Sequence, residues 1–399
     1  MRSYAFTKMK KIKLFEPTID NKEFSAVKKV LKSGWLTYGK VSLELEEQIK
    51  KKFKLSNVIA VNSCTNGLHA SLVACDIGRY DEVITSPFTF VSTINNLHHI
   101  GSKIVLADIN REDFNIDLED LNKKVNKHTK CILPVHYGGN PADIFGIKQI
   151  CKNKPIKIIE DAATAIGSKI GNRYVGSLDT EASVFSLYGN KIIISGEGGI
   201  ISVKNSKIEK RIRKLIFCGM EKSPFKRINN KQENWKYNVT VPGYKYNMSD
   251  VQSSIALAQF KKIDKIIPDR EKIANLYTNL FSELINDDLV RPIKILKNNR
   301  STHYIYTLLL NTEKLKTSRD DLINYLKLKN IDTTVHYIPA HKHKFYAKMF
   351  KKFKLPNCNY VFDRIISIPM HNNLTNNQIN FISKNIKKFI KKNINKNFY

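Results

Sequence analysis

The stretch IKIIEDAATAIGSKIGNRYVGSLDTEASVFSLYGNKIIISGEGGIISV, residues 156–203, decides how the rest of the chain is read. Ile156 to Ile159 is short, apolar and β-branched, the mark of a buried strand. Glu160-Asp161 then falls at its carboxyl end, where open α/β sheets present groups to a cleft. A second strand, Ala182 to Ser186, runs into Leu187-Tyr188-Gly189-Asn190-Lys191, and an apolar run leads on to a Gly-Glu-Gly-Gly turn at 196–199. An amine hemmed in by hydrophobic residues has its charged form disfavoured, which suits a lysine that forms an imine. The glycine-rich turn lets the backbone pass close to a planar group. Each residue also has a plainer reading. Asp161 after a strand can be a helix N-cap, and Lys191 one solvated loop lysine in a chain with 67 Lys and Arg.

Upstream, Asn57 to Val61 predicts a strand, followed by Asn62-Ser63-Cys64-Thr65-Asn66-Gly67 and a helix from Leu68. Small polar residues at a helix start leave free N–H groups and the positive dipole end outward, which suits a phosphate, although a plain N-cap reads the same way. Glu82 to Thr85 is a strand ending in Ser86-Pro87-Phe88-Thr89-Phe90, where Phe90 can stack on a flat ring and Phe88 belongs to the core. Strands recur at Lys103 to Ala107 and Lys130 to Val135 around a helix at Leu118 to Val125. Such alternation predicts an α/β fold with a large, mostly parallel sheet. His136 and Tyr137 then face the same cleft, His136 being equally readable as a structural histidine. No G-x-G-x-x-G or Walker A sequence appears, so a dinucleotide or ATP site gains no support.

The chain begins with a basic stretch, MRSYAFTKMKKIKLF, that lacks the apolar segment of a signal peptide, and an amphipathic helix follows at Glu23 to Lys32. Ser33-Gly34-Trp35-Leu36-Thr37-Tyr38-Gly39 breaks it before a second helix through Lys51. After Thr240 the sequence TVPGYKYNMSD leads into a long helix from Asp250, capped by Ser249, with Ile255, Leu257, Phe260 and Ile263 as its apolar stripe. Beyond it the pattern becomes a smaller α+β unit. Its strands are expected at Tyr304 to Leu310, near Asp332 to His336 and at Ile365 to Pro369, with helices at Ser318 to Leu328 and from Gln378. The expected division is residues 12–260 and 261–399, with the boundary within or just after a helix spanning 250–285.

The net charge of +31 raises a nucleic-acid hypothesis, but the lysines are dispersed, and the densest run, Lys384 to Lys396, alternates with Ile and Phe as the outer face of a terminal helix does. A positive field still favours an anionic substrate. The six cysteines have no C-x-x-C spacing and read as reduced, mostly buried thiols of a cytoplasmic protein. His341-Lys342-His343 has no accompanying Cys or acidic ligands, so no metal is expected. No run of about 18 apolar residues occurs, so no membrane span is expected.

The segments E-D-A-A-x-A-x-G (160–167), F-S-L-Y-G-N-K (185–191) and S-G-E-G-G (195–199) resemble the DegT/DnrJ/EryC1/StrS family of pyridoxal-phosphate-dependent nucleotide-sugar aminotransferases, over residues 12 to 395. The resemblance implies the aspartate aminotransferase-like transferase fold (fold type I). It implies Lys191 as covalent anchor and general base and acid, and Asp161 as partner of the pyridine nitrogen. Thr65, Asn66 and Ser186 would meet the cofactor phosphate, Phe90 the ring face and Thr164 the phenolic oxygen. Asn247, with Lys245 beside it, would cross a homodimer interface to the partner's cofactor phosphate. Trp35, Thr37, Tyr188 and His336 would approach the sugar. The implied reaction moves an amino group from L-glutamate, leaving 2-oxoglutarate, to a nucleotide-linked keto-sugar, most often a 4-keto sugar, for surface polysaccharide, lipopolysaccharide or other glycan synthesis. PVHYGGNPAD and PGYKYNMSD look most like the UDP-4-amino-4-deoxy-arabinose branch, whereas FSLYGNK is similar to perosamine synthases, so the sugar stays open. Relatives with histidine for the lysine act as dehydratases, an outcome that Lys191 argues against.

Overall fold

Seven strands form one sheet: β1 (Asn57–Val61), β2 (Glu82–Thr85), β3 (Lys103–Leu106), β4 (Thr129–Leu133), β5 (Lys157–Asp161), β8 (Ala182–Ser186) and β9 (Gly199–Val203). A computed structural model describes residues 11–221, 225 and 235–395 of the chain. The strand order is β1-β9-β8-β5-β4-β2-β3, with β8, β5, β4, β2 and β3 mutually parallel and β9 antiparallel to both neighbours. The expected mostly parallel sheet is present. Two short strands not foreseen, β6 (Lys169–Ile170) and β7 (Arg173–Tyr174), lie between β5 and β8 and pair with each other.

Apart from Lys157 at the start of β5, the central strands β5, β8 and β9 are buried, as small and apolar residues allow when both faces of a sheet are covered. The helix after β1 starts at Cys64, four residues before the expected Leu68, because the Ser63 side chain accepts from the Asn66 N–H and caps it. Gly67 lets this helix approach the sheet: a Cβ there would lie 2.7 Å from Val184 and 3.2 Å from Val61.

A three-stranded antiparallel sheet, β10 (Val290–Pro292), β12 (Tyr306–Leu310) and β13 (Ile365–Ile368), forms the smaller unit, while β11 (Asn299–Arg300) pairs with β6 of the large unit. Its core includes Tyr277, Phe281, Leu308, Leu322, Leu326, Ile366, Ile382 and Ile386. The terminal helix Asn376–Lys392 is capped by Thr375 and buries Ile382, Ile386 and Ile390, leaving Lys384, Lys388, Lys391 and Lys392 exposed. Lys396, the end of the expected lysine run, lies outside the described residues, as do residues 1–10.

The structure corrects two expectations. No strand forms at 332–336: Ile12 takes the backbone groups of Asn330 and Asp332, and only a single bridge joins Thr334 to Ser367. The 250–285 helix is three, Asp250–Phe260, Ile263–Leu280 and Ser282–Asn286, broken where Lys262 and Phe281 leave helical geometry (ψ 0° and 4°). The division between the two cores also fails to follow chain order, since Ala340, Tyr346, Phe350, Leu355 and Cys358 pack into the large core. Five cysteines are buried and Cys218 is exposed, all free. Among the described residues no helix is long and apolar enough to cross a membrane, and no cluster of three or more His, Cys, Asp or Glu side chains could hold a metal.

Candidate active site

At the carboxyl ends of β5 and β8 lies a cavity of about 560 Å³. Asp161, Thr164, Ser186, Tyr188, Lys191, Thr65, Phe90 and His336 all line it, although they come from five separate segments of the chain. Trp35, Thr37, Asn66, Asn247 and Lys245 do not line it.

Glu160 and Asp161 are adjacent acids with opposite placements, because successive side chains of β5 point to opposite faces. Glu160 is fully buried and accepts from His136 Nε2 (2.8 Å), Ser183 Oγ (2.6 Å) and the Thr180 hydroxyl. Burial alone would raise its carboxyl, but these bonds together hold it below the usual glutamate range. His136 Nδ1 accepts from the Ala142 N–H at 2.9 Å, so the ring proton sits on Nε2 and both nitrogens are engaged. His136 therefore fixes Glu160 and the chain entering the cavity, the structural alternative of its two readings.

Asp161 opens into the cavity with 4% exposure. Its Oδ2 accepts from Thr93 Oγ1 at 2.6 Å and its Oδ1 from the Ala163 N–H at 3.1 Å. Burial raises its carboxyl above the ordinary range, outweighing Thr93, the Ala163 N–H and the Lys191 charge. A cationic ring nitrogen brought beside it would reverse that sign. Thr93 was not singled out from the sequence. The signal was there in its spacing from Thr89: four residues apart around a helix start, the two hydroxyls meet at 2.9 Å.

Lys191 sits in the loop after β8, its N–H bonded to the Tyr188 carbonyl (2.9 Å) and its Nζ 4.2 Å from the centroid of the Tyr304 ring. One corner is formed by the start of the Cys64–Ala74 helix, where the first N–H groups of a helix have no intrahelical acceptor, and by Ser186, whose oxygen accepts from the Tyr188 N–H at 3.3 Å. Gly199 makes this corner possible: a Cβ there would lie 2.7 Å from Cys64 N and from Ser63 C. The planar neighbour expected for the glycine turn is thus, at Gly199, the peptide of Ser63. Phe90 keeps 60% exposure with its ring edge-on to Tyr337 at 6.2 Å, leaving a face open to the cavity, whereas Phe88 is fully buried and stacked on Tyr137.

Thr164 lines the cavity, but its hydroxyl donates to the His136 carbonyl (2.8 Å) and accepts from the Gly139 N–H (3.1 Å). Donation to a phenolic oxygen would require it to release His136. His336 is 8% exposed, with Nδ1 2.9 Å from Ser367 Oγ; burial, with the Lys191 charge adding to it, pushes its imidazole down to about 3. It is a neutral ring at physiological pH.

Asn247 lies beside the end of β1, bridged to Val61, and its buried Oδ1 has no hydrogen-bond partner among the described residues. Asn66 bonds to Asn62 Oδ1 at 2.8 Å. Trp35 donates to the Tyr38 carbonyl (3.2 Å), and Thr37 is exposed.

An amine, a buried acid, a helix N-terminus and an open aromatic face around one cavity are the parts that a phosphorylated pyridine aldehyde needs. The residues fit that group. The model of the DegT/DnrJ/EryC1/StrS aminotransferase family matches residues 17–387. The chain belongs to that family. As a DegT/DnrJ/EryC1/StrS protein it is a pyridoxal-phosphate-dependent sugar aminotransferase with the aspartate aminotransferase-like fold. It is 38% identical to the uncharacterized protein MJ1066 of Methanocaldococcus jannaschii, over 92% of this chain and 94% of that one. It is 34% identical to the spore coat polysaccharide biosynthesis protein SpsC of Bacillus subtilis, over 93% and 95%. Among solved structures, PseC of Helicobacter pylori, an aminotransferase involved in the biosynthesis of pseudoaminic acid, superposes with a TM-score of 0.87 at 27% identity, covering 96% of this chain and all of that one.

Proposed function

We propose that this DegT/DnrJ/EryC1/StrS enzyme moves the amino group of L-glutamate to a nucleotide-linked keto-sugar, with a 4-keto sugar the first choice. The observation that carries this reading is the pairing of Lys191 with Asp161 around one cavity. The cofactor supplies an electrophilic carbonyl and an electron-accepting ring. Lys191 would bond to it covalently, then use the released amine to take the proton from the donor's α-carbon and return it. Asp161 would hold the pyridine nitrogen in its protonated form, with Thr93 fixing the carboxylate. Thr65, Ser186 and the free N–H groups at Cys64 and Thr65 would hold the phosphate, with Asn66 behind them, and Phe90 would cover the ring. Thr164 would shape the wall, and Tyr188 and His336 would face the sugar.

The site reading extends to a homodimer in which Asn247 and Lys245 serve the partner's phosphate and Trp35 and Thr37 approach the partner's substrate. Its support is that these residues lie outside their own cavity while Asn247 keeps a buried oxygen unpaired. The name of the Bacillus subtilis relative supports a surface polysaccharide as destination, and a nucleotide-sugar acceptor fits a cytoplasmic enzyme.

Absorbance tests the reading. The purified protein should carry a band at about 410–430 nm that Lys191→Ala lacks. Glutamate should bleach it with release of one 2-oxoglutarate per site, and a panel of UDP-, GDP- and dTDP-linked keto-sugars should restore it in one case. A dehydratase would release no 2-oxoglutarate, and a protein that cannot be loaded with cofactor would overturn the proposal.

A further inference from the structure

We propose that the ring of Tyr304 is the resting platform of the Lys191 amine whenever that amine is not bonded to cofactor, which makes Tyr304 a positioning residue for the nucleophile. The inference rests on the reading of Lys191 above. Tyr304 precedes β12, more than a hundred residues beyond Lys191, and no local pattern in the sequence marks it.

The geometry is specific. Lys191 Nζ stands 4.2 Å from the ring centroid, within the range in which an aromatic face attracts an ammonium. The ring itself is held from several sides. It is 2% exposed, Phe15 stacks on it at 5.3 Å with 14° between planes, and its hydroxyl donates to Asn190 Oδ1 at 3.2 Å. Asn190 immediately precedes Lys191, so one tyrosine fixes both the amine and the loop that carries it. The backbone is pinned as well: the Tyr304 N–H donates to the Gly138 carbonyl (3.1 Å), and its carbonyl accepts from Arg270 Nη2 (2.8 Å).

Arg270 is the brace. It is 4% exposed, and its guanidinium bonds to the carbonyls of His303 (3.0 Å), Tyr304 (2.8 Å) and Met370 (2.9 Å) and to Asn372 Oδ1 (3.3 Å), with no carboxylate bonded to it among the described residues. A buried cation satisfied by carbonyls fixes the backbone of 303–304 without adding an acid that would draw Lys191 away from the cavity.

The platform has a chemical consequence. Lys191 must be neutral to attack the cofactor carbonyl, and an aromatic face attracts the ammonium form, so removing the ring is expected to change the pH dependence of capture. Among the described residues, the other titratable groups lining the space around the amine are Asp161, Cys64, His136, Tyr137, Tyr188, Glu197, His336 and Tyr337 on the cavity side, and Glu16, Arg270 and His371 on the opposite side. All of these side chains are retained when the Tyr304 ring is replaced.

The test uses cofactor-free full-length protein and follows capture of added pyridoxal phosphate, from the growth of the band at about 410–430 nm, as a function of pH. Tyr304→Leu should move the midpoint of the capture rate down by roughly one pH unit, the size of a desolvated cation–aromatic contact. Tyr304→Phe, which keeps the ring, should hold the wild-type midpoint. Thermal melts report folding, and if Tyr304→Leu melts early, Tyr304→Met, which removes the ring with a flexible side chain, carries the same expectation. A wild-type midpoint in Tyr304→Leu and Tyr304→Met, or an equal shift in Tyr304→Phe, overturns the platform. Wild-type protein that never develops the band overturns the role of Lys191 itself and the platform with it.

Discussion

His136 Nε2 donates to the Glu160 carboxylate at 2.8 Å in a fully buried pocket directly behind Asp161. The bond joins the chain after β4 to the end of β5, and the next residue on each side reaches the cavity: Tyr137 after His136, Asp161 after Glu160. The pair thus sets the floor on which the cavity acid stands.

Removing one partner leaves the other uncompensated. His136→Ala should cost about 3–5 kcal/mol in urea unfolding, far more than an exposed histidine would. The sign of the pH effect follows from Glu160, whose folded-state carboxyl is held below the ordinary range. Its contribution is present at neutral pH and is lost as pH falls through the folded value. The stability gap between wild type and Glu160→Gln should therefore close as pH falls below the ordinary glutamate range, and a gap that persists in strong acid would contradict the assignment.

Asp161 behaves in the opposite sense. Burial raises its carboxyl in the cofactor-free protein, so its contribution is greatest below the ordinary aspartate range and falls as pH rises through the folded value. Cofactor-free Asp161→Asn should match wild type in acid and become the more stable of the two, by about 1 kcal/mol, in alkali. Loading the cofactor should invert the order. Melting temperatures of both proteins with and without pyridoxal phosphate, across pH, decide the matter.

Asp250 caps a helix that begins two hundred residues earlier in the chain. Its carboxylate accepts from the N–H groups of Gly39 (2.8 Å), Val41 (3.1 Å) and Ser42 (2.9 Å) and from Ser42 Oγ (2.6 Å) at the start of the helix Lys40–Phe53. Gly39 has no side chain to do so, and a Cβ there would lie 2.3 Å from Trp35 Nε1. Asp250→Ala should cost about 2–4 kcal/mol by denaturant titration, against about 1 kcal/mol for Ser42→Ala. It should also free the 34–39 loop, read out as a red-shifted, more quenchable Trp35 emission in a Trp235→Phe background.

Much of this protein is written locally. The strand at 157–161, the acid that ends it, the lysine after the next strand and the capping serines at 63 and 249 follow from periodicity and short-range hydrogen bonding, which a linear sequence carries in full. The strand wrongly expected at 332–336 shows where that stops: its residues have strand propensity, but Ile12 from the far end of the chain occupies the backbone groups a neighbour would need. The tertiary structure alone decided that Glu160 is locked behind the cavity by His136, that both nitrogens of His136 are engaged, that the hydroxyl of Thr164 is already spent, and that Tyr304 lies beneath Lys191. Each depends on groups brought together by sheet order and by packing between the two cores, and contacts of that range leave no period or spacing along the chain.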